Sequence, residues 1–396
     1  MTTMIVLGYR EGLDSALRRR GLDPFYVVEK QKAGLAGKRY RLVSRLEDAQ
    51  QVLRAVTGAG LTDVAGALTG HEQGVFATAL LRAQLDLPGD RDFGKVLLFR
   101  DKYLQKNALP AEVARARCRY VTPEDDFAAL AADLGVPFVV KPADGYGATR
   151  TAVVETAAEF ARMVGDRHVS DVAFVAESYV RGDEIHVDGV WEDGRLLWNS
   201  VGVFHQPVLS WSRGGVVADH LVTAEGHPEL VARATRVAET SLGALGAPDC
   251  VFHLEGFDDG TTTFFGECAI RLAGAHIVEI VAMTHGVDLY EAQVALALGE
   301  PAKTTVQPRP PVQRHAYVYL RHFAGRALTA DDFRRRFSLV ELDFPDPTTA
   351  SPRSYGRAGH AILADRDETR LRARVAELVR FNEGGDDSND SEDSDD

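Results

Sequence analysis

Val251-Phe-His-Leu-Glu255-Gly-Phe-Asp-Asp-Gly-Thr-Thr-Thr-Phe-Phe-Gly-Glu267-Cys-Ala-Ile-Arg271-Leu-Ala-Gly274 sets two lone carboxylates in hydrophobic runs on either side of a polar Asp-Asp-Gly-Thr turn. Runs of β-branched and aromatic residues bounded by Asp-Gly predict an antiparallel hairpin. Positions 255 and 267 share parity, so a suitable register puts both glutamates on one face of the ribbon. Such a pair suits a hard cation, because Mg2+ is held by one or two carboxylates plus substrate phosphates. Arg271, four residues after the second glutamate, adds a fixed fork of donors for phosphate or carboxylate. The competing reading is an exposed hairpin with Glu255 and Glu267 on its solvent face.

Three upstream segments bear on that choice. Phe99-Arg-Asp-Lys102-Tyr-Leu-Gln-Lys opens an amphipathic stretch running toward Ala108, where Lys102 alone reads as a solvated helix residue. Val136-Pro-Phe-Val-Val-Lys141-Pro-Ala-Asp-Gly145-Tyr-Gly147-Ala-Thr-Arg150-Thr is an apolar strand that delivers a lysine into a glycine-containing loop. A lysine ending a buried strand is costly unless its charge meets a partner, and glycines that let backbone N–H groups approach a polyphosphate supply one. Alone, this loop reads equally as a strand-to-strand turn. Phe174-Val-Ala-Glu177-Ser-Tyr-Val180-Arg-Gly182-Asp-Glu184-Ile-His186-Val-Asp188 interrupts two strand-like runs with acidic residues across a glycine turn.

Taken in order, these segments resemble the ATP-grasp superfamily. The resemblance implies a fold in which two sheets close on ATP, and it covers about the first three-quarters of the chain. It extends to Thr69-Gly-His-Glu72 with the helix ending near Gly89, and to the helical segment from Gly274 to Gly299. It implies that Lys102 and Lys141 reach the phosphates, with Gly145 and Gly147 in the loop over them. Glu177 and the Val180 backbone would face adenine, Glu184 the ribose hydroxyls, Glu255 and Glu267 the Mg2+ ions (Mn2+ in their place), and Arg271 an acyl phosphate. Two positions depart from the family pattern. Ala269 stands where many members have Asn, which removes one oxygen ligand that water can replace. Ala148-Thr149 stands where a serine is common, so a hydroxyl contact moves to Thr149 or Thr151.

The implied activity is an ADP-forming carboxylate–amine ligase that makes an amide or peptide bond through an acyl phosphate. Glu-x-Ala-x-Arg and the length resemble the L-amino-acid ligases, so the expected partners are a small-molecule carboxylate and an amine. The alternatives are a purine-biosynthesis or biotin-carboxylase-like enzyme and a catalytically silent ATP-binding regulator. His186 and His276 are candidates for the base acting on the amine by proximity to motifs, against the bland reading of satisfied structural histidines. Trp211 and Arg213 lie in a segment expected near the acceptor.

Composition agrees with an ordinary globular chain of 396 residues, 45% hydrophobic and 26% charged. No apolar run approaches the roughly 18 residues needed to span a bilayer, and the opening Met-Thr-Thr-Met-Ile-Val lacks a basic region, so neither membrane nor signal peptide is expected. Three cysteines, Cys118, Cys250 and Cys268, make neither a disulfide framework nor a zinc spacing. The expected location is cytoplasmic, with a homodimer as the family-like assembly. The short arginine clusters lack aromatic interleaving, so nucleic acid is not expected.

The net charge of −13 is concentrated at the end, where residues 383–396 carry eight acidic and no basic residues and are expected to be disordered. The expected fold class is α/β, with α+β character in the ATP lobes. Its divisions are an N-terminal α/β lobe over 1–89, an ATP-grasp domain over 90–301, and a C-terminal α/β subdomain over 302–382 packed on the ATP lobe.

Overall fold

The computed structural model describes residues 2–165, 172–347 and 356–384. The expected acidic tail falls outside them except for Glu383 and Gly384. The N-terminal lobe comprises β1 (Thr3–Leu7), α1 (Glu11–Arg19), β2 (Asp23–Val28), β3 (Arg39–Leu42), α2 (Ala49–Thr57), β4 (Val64–Thr69) and α3 (Val75–Leu85). Its four strands are parallel in the order β3-β2-β1-β4. The fully buried run Met4-Ile-Val-Leu explains this: a strand covered on both faces is apolar throughout.

Short helices α4 (Phe93–Leu98) and α5 (Lys102–Ala108) lead out of that lobe. Asp101 caps α5 by accepting from Leu104 N at 2.9 Å, which fixes where the helix begins and hence where Lys102 points. A second lobe follows: β5 (Cys118–Tyr120), α6 (Phe127–Leu134), β6 (Phe138–Pro142), β7 (Ala152–Val154), α7 (Ala157–Val164) and β8 (Phe174–Ser178). These strands form an antiparallel sheet, β5-β8-β6-β7, covered by the two helices through Leu130, Phe138 and Phe160.

The rest of the chain builds one antiparallel sheet of eight strands. It contains β9 (Asp183–Glu192), β10 (Arg195–Phe204), β11 (Ala218–Val222), α8 (Pro228–Ala244), β12 (Cys250–Asp258), β13 (Thr263–Ala269), α9 (Ile277–His285) and α10 (Leu289–Ala297). The chain then adds β14 (Arg314–Leu320), α11 (Ala330–Arg336), β15 (Glu341–Asp343), β16 (Gly359–Asp365) and α12 (Glu368–Glu383). The strand order is β13-β12-β9-β10-β11-β14-β16-β15. Residues 302–382 therefore extend the sheet that carries the hairpin, and the division expected at 301 falls inside one continuous sheet.

Alternation along the strands separates two faces. One buries Val187, Phe252 and Leu254 under α8. The other packs Val190, Val251 and Leu221 against α9, α10 and the N-terminal lobe in the largest core cluster. The polar site described below lies on this second face. No helix among the described residues is long and apolar enough to cross a membrane.

Candidate active site

The hairpin forms as its sequence predicts. Asp259 closes the turn by accepting from Thr261 N at 2.9 Å and Thr262 N at 2.7 Å. In the resulting register Glu255 stands directly opposite Glu267, with a bulge immediately after Glu255. Their side chains are 36% and 30% exposed, so the solvent-face reading fails: both line a cleft of about 200 Å3 between the two antiparallel sheets.

Lysines from the second lobe and from α5 reach into this cleft. Lys102 Nζ lies 2.9 Å from Glu267 and donates to Gly145 O at 2.7 Å. Burial alone would raise the Glu267 carboxyl, but the charges of Lys102 and Lys141 outweigh it and hold the group at about 2. Glu177, buried on β8, accepts from Lys106 at 2.8 Å on one oxygen and pairs with Lys141 at 3.1 Å on the other. The two lysines overcome the burial penalty and hold its carboxyl at about 2. Their own responses differ with their surroundings. Burial wins at Lys106, pulling its ammonium below the usual value, whereas for Lys141 the charges of Glu177 and Glu267 outweigh burial and raise it.

Most of the remaining expected residues fall around the same space, while Arg271 lines a smaller recess that Lys102, Gly145 and Glu267 share with the cleft. Val180 and Gly182 line the cleft where the chain passes from β8 to β9, and Gly145 and Gly147 line its opposite side. Gly147, Ala148 and Arg150 all have left-handed backbone, which L side chains adopt at a cost and which turns the loop back over the cleft. Glu184 accepts from Val208 N at 2.8 Å; burial first, then the nearby Glu255 charge, raises its carboxyl to about 7. Thr151 lines the cleft, as do Pro207, Val208 and Leu209. Arg213 is exposed and Trp211 packs against the central core, so the segment contributes its apolar start to the cleft wall.

Two solved structures share this arrangement of lobes. An L-amino acid ligase from Bacillus licheniformis superposes with a TM-score of 0.73 at 17% identity, covering 96% of this chain and 98% of that one. N5-carboxyaminoimidazole synthetase from Staphylococcus aureus complexed with ADP gives 0.73 at 12% identity, covering 96% and 97%. The chain has the ATP-grasp fold. By sequence it is 23% identical over 247 residues to an L-arginine-specific L-amino acid ligase of Bacillus subtilis, covering 60% of this chain and 58% of that protein. It is 24% identical over 281 residues to an alanine–anticapsin ligase of Bacillus subtilis, covering 62% and 57%. The chain thus matches less than two thirds of the length of these curated relatives. No family model matches it.

Within the ATP-grasp fold, several charges that hold the site together were not singled out from sequence. Lys106 is one; it sits one helical turn after Lys102, and that i, i+4 spacing was the available signal. Glu72, buried in the N-terminal lobe, is another. It accepts from Arg100 at 2.8 Å and from Arg271, and these two cations hold its carboxyl below the ordinary value despite burial. Arg100 also donates to Asp144 O at 2.6 Å, so one buried carboxylate ties Arg271 to the root of the glycine loop.

A polar chain crosses the sheet behind Glu255. Asp219 meets His186 at 3.1 Å, His186 meets Asp188 at 2.5 Å, Asp188 meets His253 at 2.8 Å, and His253 meets Glu255 at 3.1 Å. His186 reaches Asp219 by lying across Gly202 of β10, where an added Cβ would come 2.1 Å from its Nε2. Burial opposes charging of His186, but Asp188 and Asp219 prevail and raise it to about 10; Asp188 and Glu255 likewise raise His253 to about 9. His186 is fully buried with both ring nitrogens on carboxylates and does not line the cleft, so it is not placed to act as a base on an amine there. His276 instead stacks on His360 with ring centroids 3.7 Å apart.

Could these residues hold a divalent metal? Glu184, Glu255 and Glu267 offer hard oxygen donors to one cleft, and the Glu255–Glu267 pair is spaced by direct cross-strand pairing. That donor set fits Mg2+. Position 269 supplies no oxygen, and Ala269 lies opposite His253 across the hairpin. Cys268 is buried beside it, and burial pushes its thiol well above the ordinary value, so it is no nucleophile.

Proposed function

We propose that this protein is an ATP-dependent carboxylate–amine ligase acting on amino-acid-like substrates in peptide or natural-product biosynthesis. The observation that carries the reading is the placement of Glu255 opposite Glu267 in a cleft that also receives Lys102 and Lys141. ATP would lie between the two antiparallel sheets, with its base near Val180, its ribose at Glu184 and its phosphates at the lysines. Mg2+ held by Glu255 and Glu267 would neutralise the phosphate oxygens as charge develops.

The substrate carboxylate oxygen attacks the γ-phosphorus, and the bond to the β-phosphate oxygen breaks with ADP leaving. The amine, as its free base, then attacks the acyl carbon. The C–O bond to phosphate breaks, phosphate departs with the electron pair, and it takes up the proton the nitrogen loses. Fixed cations lower both barriers by meeting charge on the transferring group without reorganising. Arg271 is held for this by the buried Glu72 carboxylate, which accepts from its Nε.

The curated relatives favour amino acids over the purine-biosynthesis alternative, which rests on structural likeness alone. A cytoplasmic site of action and a homodimer go with the ligase reading; light scattering would test the second. Phosphate and ADP release with Mg-ATP, measured against single and paired amino acids with mass spectrometry of the products, tests the reaction itself. Release that needs a particular pair and yields a condensed product supports the ligase. Nucleotide binding with no turnover against any pair, small carboxylate or bicarbonate would replace it with a silent ATP-binding regulator.

A further inference from the structure

Three polar side chains leave α5 on one face, Lys102, Gln105 and Lys106, and all three are buried, at 7%, 2% and 2% exposed. A helix face buried with lysine, glutamine and lysine is costly unless the donors and acceptors on it are met. Here they meet three consecutive residues of one strand. Lys106 donates to Gly266 O, and Lys102 pairs with the Glu267 carboxylate at 2.9 Å. Gln105 donates from Nε2 to Cys268 O at 2.7 Å, and its Oε1 accepts from Cys268 N at 2.8 Å.

β13 is an edge strand of the large sheet, and an edge presents a row of backbone groups that no neighbouring strand pairs. The Gln105 amide carries a donor and an acceptor side by side, as a peptide unit does, so it pairs with Cys268 the way a ninth strand would. The same nitrogen also donates to Leu98 O at 3.2 Å, which anchors the amide to the chain leading into α5. Glu267 thus lies between two residues that α5 clips, Gly266 and Cys268, and that seven-residue helix also carries Lys102.

We propose that Gln105 is a positioning residue that sets Glu267 against Lys102, so that one short helix fixes the separation between the carboxylate assigned to the metal and a lysine assigned to the phosphates. Gln105 lines the recess beside the nucleotide cleft and not the cleft itself, so it acts through Glu267. A metal shared between a carboxylate and a phosphate needs that geometry kept within about 0.5 Å, which supporting hydrogen bonds supply. Glu255 takes its own support from the other side of the hairpin, through His253. The roles of Glu267 and Lys102 rest on the ligase reading; the clip on Cys268 does not.

The test measures ADP affinity of the full chain by calorimetric titration, with and without Mn2+, for wild type, Gln105→Met, Glu267→Gln and the double variant. Met keeps the length of the side chain and removes the amide. Val375→Ala, in the core between α12 and the large sheet, serves as a variant that only destabilises. Gln105→Met is expected to bind metal-free ADP within about twofold of wild type, because Lys102 and Lys141 remain, and to lose about tenfold of the strengthening that Mn2+ gives. Beside Glu267→Gln the same substitution is expected to remove nothing further, because effects that pass through one carboxylate do not add. Val375→Ala is expected to lower the melting temperature alone. If Gln105→Met does not fold, Gln105→Asn, which holds the amide one methylene short, takes its place with the same expected outcome. A Gln105 variant that lowers the melting temperature yet keeps the Mn2+ strengthening, or one whose loss persists in full beside Glu267→Gln, overturns the inference and leaves the ligase reading standing. Wild type whose ADP binding ignores Mn2+ sinks the metal assignment, and the inference falls with it.

Discussion

Removing the Glu177 carboxylate exposes how much of the site's order depends on a single buried charge. Glu177→Gln keeps the shape but leaves the Lys106 and Lys141 ammonium groups without the carboxylate that pairs them. Both lysines are largely buried, with side chains 2% and 15% exposed, and Glu177 itself is 7% exposed, so little solvent screens the loss. The Glu177 carboxyl is held at about 2 from an ordinary value of 4.5, a displacement of roughly 2.5 pH units. At about 1.36 kcal/mol per unit this is about 3 kcal/mol, which agrees with the roughly 3–5 kcal/mol that follows breaking a buried ion pair. The depressed carboxyl places this stability fully above about pH 4.5, and it is lost as pH falls toward 2. Urea unfolding at pH 7 should therefore show the variant weaker by about 3 kcal/mol, with the gap closing as the wild type is acidified. Because phosphates would meet the freed Lys141, Mg-ADP should restore part of the loss. A variant within about 1 kcal/mol of wild type at pH 7, or a gap that does not narrow in acid, would refute the reasoning.

Three further outcomes follow from the same geometry. Glu267→Gln removes a carboxylate from the metal pair, so phosphate release should fall by about a hundredfold or more, with weaker Mn2+ binding by electron paramagnetic resonance; unchanged Mn2+ affinity would contradict the assignment. Gly202→Ala drives a methyl into the His186 ring and should lower both the melting temperature and the Mn2+ affinity, though Gly202 lies on a strand that supplies no metal ligand. Loss of stability with intact Mn2+ affinity would show that the His253 chain does not orient Glu255. Glu184, raised to about 7, is protonated below that pH and accepts more strongly above it. ADP affinity without added metal should thus strengthen as pH rises through 7 in the wild type and stay flat in Glu184→Gln.

Residues expected to meet a ligand were easier to find in the sequence than the residues that hold them. Parity placed Glu255 beside Glu267, and an apolar strand ending in Lys141 announced a charge in need of a partner; both facts belong to one element and its own periodicity. Glu72 and Arg271 lie 199 positions apart on different lobes, and no period connects them. Asp219 reaches His186 only because β10 separates their strands and carries glycine at 202, which strand order alone reveals. Reading 302–382 as a C-terminal α/β subdomain likewise does not show that its strands continue the hairpin's sheet. Glu177 shows the physical reason most clearly. Its motif sets it in the cleft wall, which it lines, and its carboxylate also balances Lys106 and Lys141 there. A sequence pattern reports which way a side chain leaves its own element, whereas a buried charge is explained by what stands opposite. Glu177 and Glu267 stand opposite the lysines, so the proposed phosphate binding would be an exchange of partners rather than the filling of an unbalanced positive pocket. Raising ionic strength should then weaken ADP binding less than three exposed lysines would, because the competing carboxylates are already inside.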